Sequence, residues 1–252
     1  MSSDISVTER SRAERALARV PAGATVAVTV GGAATVLAAF MLQNELALGN
    51  AVVWRAAVAA LGGGGLLLVL ASHHLLSRTF GVANGITLVR GALTLLLVAL
   101  IGVDANDAIG WVVVAIAVVA VALDGVDGWF ARSRNEASAF GARFDMETDA
   151  LLILVLAALV WQFEKAGVWI LAAGLLRYAF VLASFPLPWM ERALPPSRRR
   201  QTVCVLQIVA LIGALVPRVP PAWSSGIALA SLVLLAWSFA VDTAWLARRA
   251  HA

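Results

Sequence analysis

Four carboxylates lie close together in the run Asp124-Gly-Val-Asp127-Gly128-Trp-Phe-Ala131-Arg132 and, eight residues later, Gly141-Ala-Arg-Phe-Asp145-Met-Glu-Thr-Asp149. Side chains three or four positions apart share a helix face. Asp124, Asp127, Gly128 and Ala131 therefore form one stripe, and Gly141, Asp145 and Asp149 form a second. Residues 133–140 (SRNEASAF) are polar enough for a helix-to-helix turn. Two antiparallel helices would then present two carboxylates each across a shared gap. Four like charges repel unless cations neutralise them. Hard oxygen donors suit Mg²⁺, Mn²⁺ or Ca²⁺ and suit zinc poorly. Gly128, Ala131 and Gly141 leave room for a flat or bulky ligand close to the backbone. Arg132 supplies a fixed positive charge with a fork shaped for phosphate. The chemistry is that of a site for a phosphate-bearing nucleotide held through divalent metal.

The elements that must position these groups are membrane helices. The chain has 252 residues, 61% hydrophobic and 13% charged, with mean hydropathy +0.88. Long apolar stretches of this kind read as transmembrane helices. Ionisable groups at membrane depth are expensive, so a cluster of them marks a functional site. Eight spans are expected, roughly 22–42, 53–72, 86–103, 109–131, 142–163, 168–187, 201–216 and 223–246. The fourth and fifth carry the acidic stripes at their facing ends. The fold class is thus all-α, a polytopic helical bundle. The net charge of +4 does not imply nucleic acid, because the arginines sit at helix ends. Cys204 is the single cysteine and lies in an apolar run, which excludes a disulfide framework and reads as packing. The polar lead, residues 1–20, does not resemble a cleavable signal peptide.

Basic residues orient the spans. One set of ends carries Arg10, Arg12, Arg15, Arg19, Arg78, Arg132, Arg134, Arg143, Arg192, Arg198, Arg199, Arg200, Arg248 and Arg249; the other carries only Arg55, Lys165 and Arg218. Both termini and the acidic hairpin are therefore expected on the cytoplasmic side of a bacterial inner or plasma membrane. An even number of spans satisfies this.

The run Asp124-x2-Asp127-Gly128-x2-Ala131-Arg132-x8-Gly141-x3-Asp145-x3-Asp149 resembles the signature of the CDP-alcohol phosphotransferase (phosphatidyltransferase) family, with every fixed position filled. Asn84-Gly-Ile-Thr87-Leu-Val-Arg90 resembles the start of that family's first core helix, with Ala83 where proline is common. The resemblance covers residues 76–252 and implies a six-helix core. Residues 1–20 then form a cytoplasmic segment, and 21–75 a two-helix annex whose Gly31, Gly32 and Gly62–Gly65 permit close helix contacts. The resemblance further implies phospholipid synthesis by a homodimer, in which a CDP-linked donor passes its substituted phosphoryl group to an acceptor hydroxyl and CMP leaves. By the same resemblance Asp124, Asp127, Asp145 and Asp149 hold two Mg²⁺ or Mn²⁺ ions, and Asp149 is the general base. Asp127, Gly128, Ala131, Arg132 and Gly141 would hold the CDP moiety.

The acceptor is not encoded in a motif. One reading is transfer of a phosphatidyl group from CDP-diacylglycerol to a small polar alcohol, such as glycerol 3-phosphate or an inositol phosphate. The alternative is headgroup transfer from CDP-choline or CDP-ethanolamine to diacylglycerol. A third reading, from a different class, is a cation transporter. It predicts carboxylates spread over several helices near the bilayer midplane, whereas these cluster at one hairpin. Arg90, Arg177 and Arg198 are candidate contacts for an acceptor or its phosphate. For Arg90 the competing reading is snorkelling to the interface. For Arg177 it is pairing with a backbone carbonyl or Asp242, and for Arg198–Arg200 a topology signal. His73 and His74 read as interfacial.

Overall fold

The computed structural model describes residues 22–74, 82–133, 139–192 and 194–250, and within these helices the side chains of residues 22, 70–74, 82–83, 126–133, 139–140 and 191 lie outside the description. Eight α-helices and no strand occur among the described residues. They are α1 (Ala22–Glu45), α2 (Ala51–His74), α3 (Val82–Leu100), α4 (Asp107–Ser133), α5 (Ala139–Gln162), α6 (Leu171–Ser184), α7 (Arg198–Leu215) and α8 (Pro221–Ala250). Short 3-10 turns, Val168–Ile170 and Pro188–Glu191, flank α6.

Each expected span coincides with a helix. Among the described residues, four segments are long and apolar enough to cross a membrane: Gly23–Glu45, Ala51–Val69, Asp107–Gly125 and Pro221–Ala250. Asn84–Leu100 and Val168–Ser184 are apolar but short. α5 and α7 use their opening turns for charge, with Arg143, Asp145, Glu147 and Asp149 on one and Arg198–Arg200 on the other. The long helices expose Trp54, Leu61, Leu66, Val118, Trp223 and Val233 outward. Water tolerates a few such residues, whereas continuous apolar helix faces fit lipid.

The chain forms two compact units, residues 1–100 with 119–148, and residues 101–118 with 149–252. In the first, α1, α2 and α3 pack on one another. Thr35 helps join them, its hydroxyl donating to the carbonyls of Gly31 and Ala92. The glycines work as expected in part. Gly31 faces Leu88, Gly32 faces Ala60, Gly63 faces Leu95 and Gly64 faces Val28, while Gly62 and Gly65 meet nothing within 4 Å. Leu96, Leu97, Ala99 and Leu100 of α3 are buried there.

In the second unit, Leu152, Leu156 and Leu159 of α5, Ile170, and Leu211 and Leu215 of α7 are buried. α7 and α8 pack on each other in it. At α4 the Asn106 side-chain oxygen accepts from the Ile109 backbone N–H at 3.0 Å, which caps the first turn. Gln162 ties the α5 terminus to the loop before α4, accepting from Gly102 N–H and donating to Val103 O.

Two of the three cations assigned to the sparsely charged ends are helix caps. Arg55 donates to Ala99 O at the end of α3, at 3.2 Å. Lys165 is buried, and its ammonium faces the carbonyls of Val216, Pro217 and Val219 just past α7. A cation at a helix C-terminus satisfies orphan carbonyls and complements the dipole.

Candidate active site

The acidic stripes fall on two helices. α4 and α5 run up to residues 133 and from 139, and residues 134–138 lie outside the description. Asp124 is on α4; Asp145 and Asp149 are one turn apart on α5. One carboxylate oxygen from each of Asp124, Asp145 and Asp149 lies within 4.8 Å of the other two. Asp149 opens the second compact unit, yet it shares a continuous helix with Asp145, which fixes the pair locally.

Arg90 of α3 enters this cluster. Its side chain is 1% exposed, whereas those of Asp124 and Asp145 are 34% and 40% exposed. Nη1 lies 2.9 Å from Asp124 Oδ1 and also contacts Asp145 Oδ1. Nε donates to Ala120 O at 3.2 Å. A guanidinium removed from water needs such partners, and its planar fork suits them. The result is a cationic floor under two carboxylates whose outer faces stay open. The snorkelling reading of Arg90 does not hold, because the side chain turns inward. The signal for Arg90 in the sequence was an arginine inside an otherwise apolar helix.

Asp149 has a neighbour that the sequence did not point to. Cys204 Sγ of α7 lies 3.9 Å from Asp149 Oδ2. The thiol contacts the acidic cluster rather than serving as packing alone, and an isolated cysteine in an apolar run carries no signal for that.

The remaining predicted residues are placed as follows. Asp127, Gly128, Ala131 and Arg132 are on the helical backbone of α4, with side chains outside the description. Gly141 is in the first turn of α5. Arg177 is half-buried on α6. Asp242, one partner proposed for it, pairs with Arg199 and, at 3.6 Å, Arg200. Arg199 also donates to Ser238 O at 2.8 Å and lies 5.5 Å over the Trp237 ring. Arg198 is exposed at the start of α7. The three consecutive arginines therefore divide, two to an ion pair with α8 and one to the surface. His73 and His74 end α2, with side chains outside the description.

A family model for CDP-alcohol phosphatidyltransferases matches residues 80–242, more than half of the chain. The chain belongs to this family. No curated protein and no solved structure matches it. As a CDP-alcohol phosphatidyltransferase family member with four long apolar helices, it is an integral membrane enzyme of phosphoryl transfer from a CDP-alcohol. The matched stretch contains Arg90, all four motif aspartates and Cys204, and it starts after α1 and α2.

Proposed function

We propose that the protein transfers a phosphatidyl group from CDP-diacylglycerol to the hydroxyl of a small polar alcohol, releasing CMP. The observation that carries this reading is the convergence of Asp124, Asp145 and Asp149 within 4.8 Å, above a buried arginine, in a chain of this family.

The donor set fits a divalent ion. Oxygen ligands sit about 2.0–2.6 Å from Mg²⁺ or Ca²⁺, so two ligands to one ion lie within about 5 Å of each other. The triad meets that limit. In this reading Asp124, Asp127, Asp145 and Asp149 hold two Mg²⁺ or Mn²⁺ ions. When bound, the ions neutralise charge on the pyrophosphate and on departing CMP.

The chain's own residues do the rest. Arg132 binds donor phosphate, and Gly128, Ala131 and Gly141 leave space for the cytidine. Asp149 accepts the acceptor hydroxyl's proton at a carboxylate oxygen. The alcohol oxygen then bonds to the phosphorus that bears the diacylglycerol, and the bond from that phosphorus to the CMP oxygen breaks. A base one turn from a metal ligand is both oriented and near the reacting oxygen. Arg90 holds Asp124 and Asp145 in place from below and does not touch the donor.

Both termini and the site face the cytoplasm in this reading, residues 21–75 form an annex to the catalytic core, and the enzyme acts as a homodimer. Arg199 and Arg200 are engaged by Asp242, so the exposed Arg198 is the cation at the α7 start that would favour an anionic acceptor.

The test is CMP release in detergent from CDP-diacylglycerol and Mg²⁺ with glycerol 3-phosphate, inositol phosphate, inositol, serine or glycerol. Release that needs one acceptor and is abolished by EDTA supports the proposal. Release only from CDP-choline or CDP-ethanolamine with diacylglycerol replaces it with headgroup transfer. Ion flux without CDP binding replaces it with transport.

A further inference from the structure

Gln207 is the most buried amide side chain of α7, 1% exposed, and neither its Nε2 nor its Oε1 has a hydrogen-bond partner among the described residues. Leaving both ends of a buried amide unsatisfied is costly. Leucine or methionine would fill the same place in an apolar helix without that cost. A polar group retained in this way indicates a polar occupant.

Its position says which one. Gln207 is three residues after Cys204, so the two side chains neighbour each other on α7. Cys204 touches Asp149, the base of the proposed reaction. The α7–α8 register gives the level of Gln207 along α8. Arg199 donates to Ser238 O at one end, and Ser224 Oγ donates to Ala214 O at the other. Gln207 is midway between Arg199 and Ala214, and Ser231 is midway between Ser224 and Ser238, so they stand at one level. Ser231 is buried, and its hydroxyl proton goes to Ala228 O, which leaves its oxygen as an acceptor. The buried amide is thus one turn from the thiol that contacts the base, at the level of a buried hydroxyl oxygen. Amide, thiol and hydroxyl are uncharged.

We infer that Gln207 binds a hydroxyl of the acceptor alcohol, its Oε1 accepting from that hydroxyl and its Nε2 donating to it. This rests on the proposed reaction and narrows the substrate. A neutral amide both donates and accepts, which matches a second hydroxyl of a polyol, and it offers no charge to offset that of a carboxylate or an ammonium group. Acceptors with several hydroxyls, such as inositol or glycerol derivatives, are therefore favoured over serine. The same hydroxyl chemistry is available from a trapped water, and the experiment separates the two.

Gln207→Met has the same length and removes both polar atoms. Three readouts apply: acceptor KM with kcat, CDP affinity, and side-chain amide resonances of ¹⁵N-glutamine-labelled protein titrated with inositol, inositol phosphate, glycerol, glycerol 3-phosphate and serine. The Gln207 resonance is the one lost in the variant. We expect acceptor KM to rise about tenfold, as loss of one or two neutral hydrogen bonds predicts. CDP affinity should be unchanged, and the amide resonance should move with a polyol. An unchanged KM, or an amide silent to every alcohol, assigns the group to a buried water and overturns the inference. A wild-type enzyme that releases no CMP refutes the proposed reaction instead, and the amide titration then decides Gln207 alone.

Discussion

Arg90 Nη1 lies 2.9 Å from Asp124 Oδ1, and the same nitrogen contacts Asp145. One guanidinium from α3 therefore sets the spacing of carboxylates on α4 and α5. It neutralises part of their charge before any ligand arrives.

Removing that cation leaves two carboxylates facing each other over a buried gap. Breaking a buried pair costs about 3–5 kcal/mol. Asp124 and Asp145 are 34% and 40% exposed, so solvent screens part of that loss. Arg90→Met should lower stability by about 2 kcal/mol, and Arg90→Lys by less. Thermal unfolding in detergent measures this; an unchanged midpoint for Arg90→Met would refute the positioning role.

Asp149→Asn keeps the shape of the side chain and removes its basicity. Turnover should fall by at least about a hundredfold, the scale of general-base catalysis. CDP binding should persist. Single-turnover CMP release beside CDP calorimetry checks both, and full activity would sink the assignment.

Metal dependence should divide by residue. EDTA should abolish turnover, and Mg²⁺ or Mn²⁺ should restore it. Asp127→Ala should lose metal-dependent CDP affinity. Equal affinity with and without metal in the wild type would count against the ligand set.

Gly174 of α6 is a packing constraint away from the chemistry. A Cβ there would overlap the Leu154 backbone and lie 2.6 Å from its Cβ. Gly174→Ala should cost about 1–3 kcal/mol through overpacking. Gly213 on α7 meets nothing within 4 Å, so Gly213→Ala should be neutral or stabilising by about 0.5–1 kcal/mol. The unfolding midpoint should fall for Gly174→Ala and hold or rise for Gly213→Ala.

Lys165→Met removes an ammonium facing three carbonyls. The loss should be about 1–3 kcal/mol, because carbonyls are left without a donor in an apolar setting. An unaltered unfolding midpoint would show that water replaces the ammonium.

The helices and the acidic hairpin were legible in the sequence because both are local. Apolar runs of span length mark helices, and Asp124 to Asp149 lie within two adjacent helices, where a spacing of three or four dictates the face. Tertiary structure decided what no spacing encodes. Arg90 reaches Asp145 across 55 residues, Cys204 reaches Asp149 across 55, and Arg199 takes Asp242 across 43. A single arginine, cysteine or glutamine in an apolar helix reads the same whether it faces lipid, a neighbour or a substrate. Only helix packing chooses among these. The sequence by itself determined helices of span length and an acidic motif, because both are local patterns, and packing determined the cation beside Asp124 and Asp145, the cysteine beside Asp149 and the burial of Gln207.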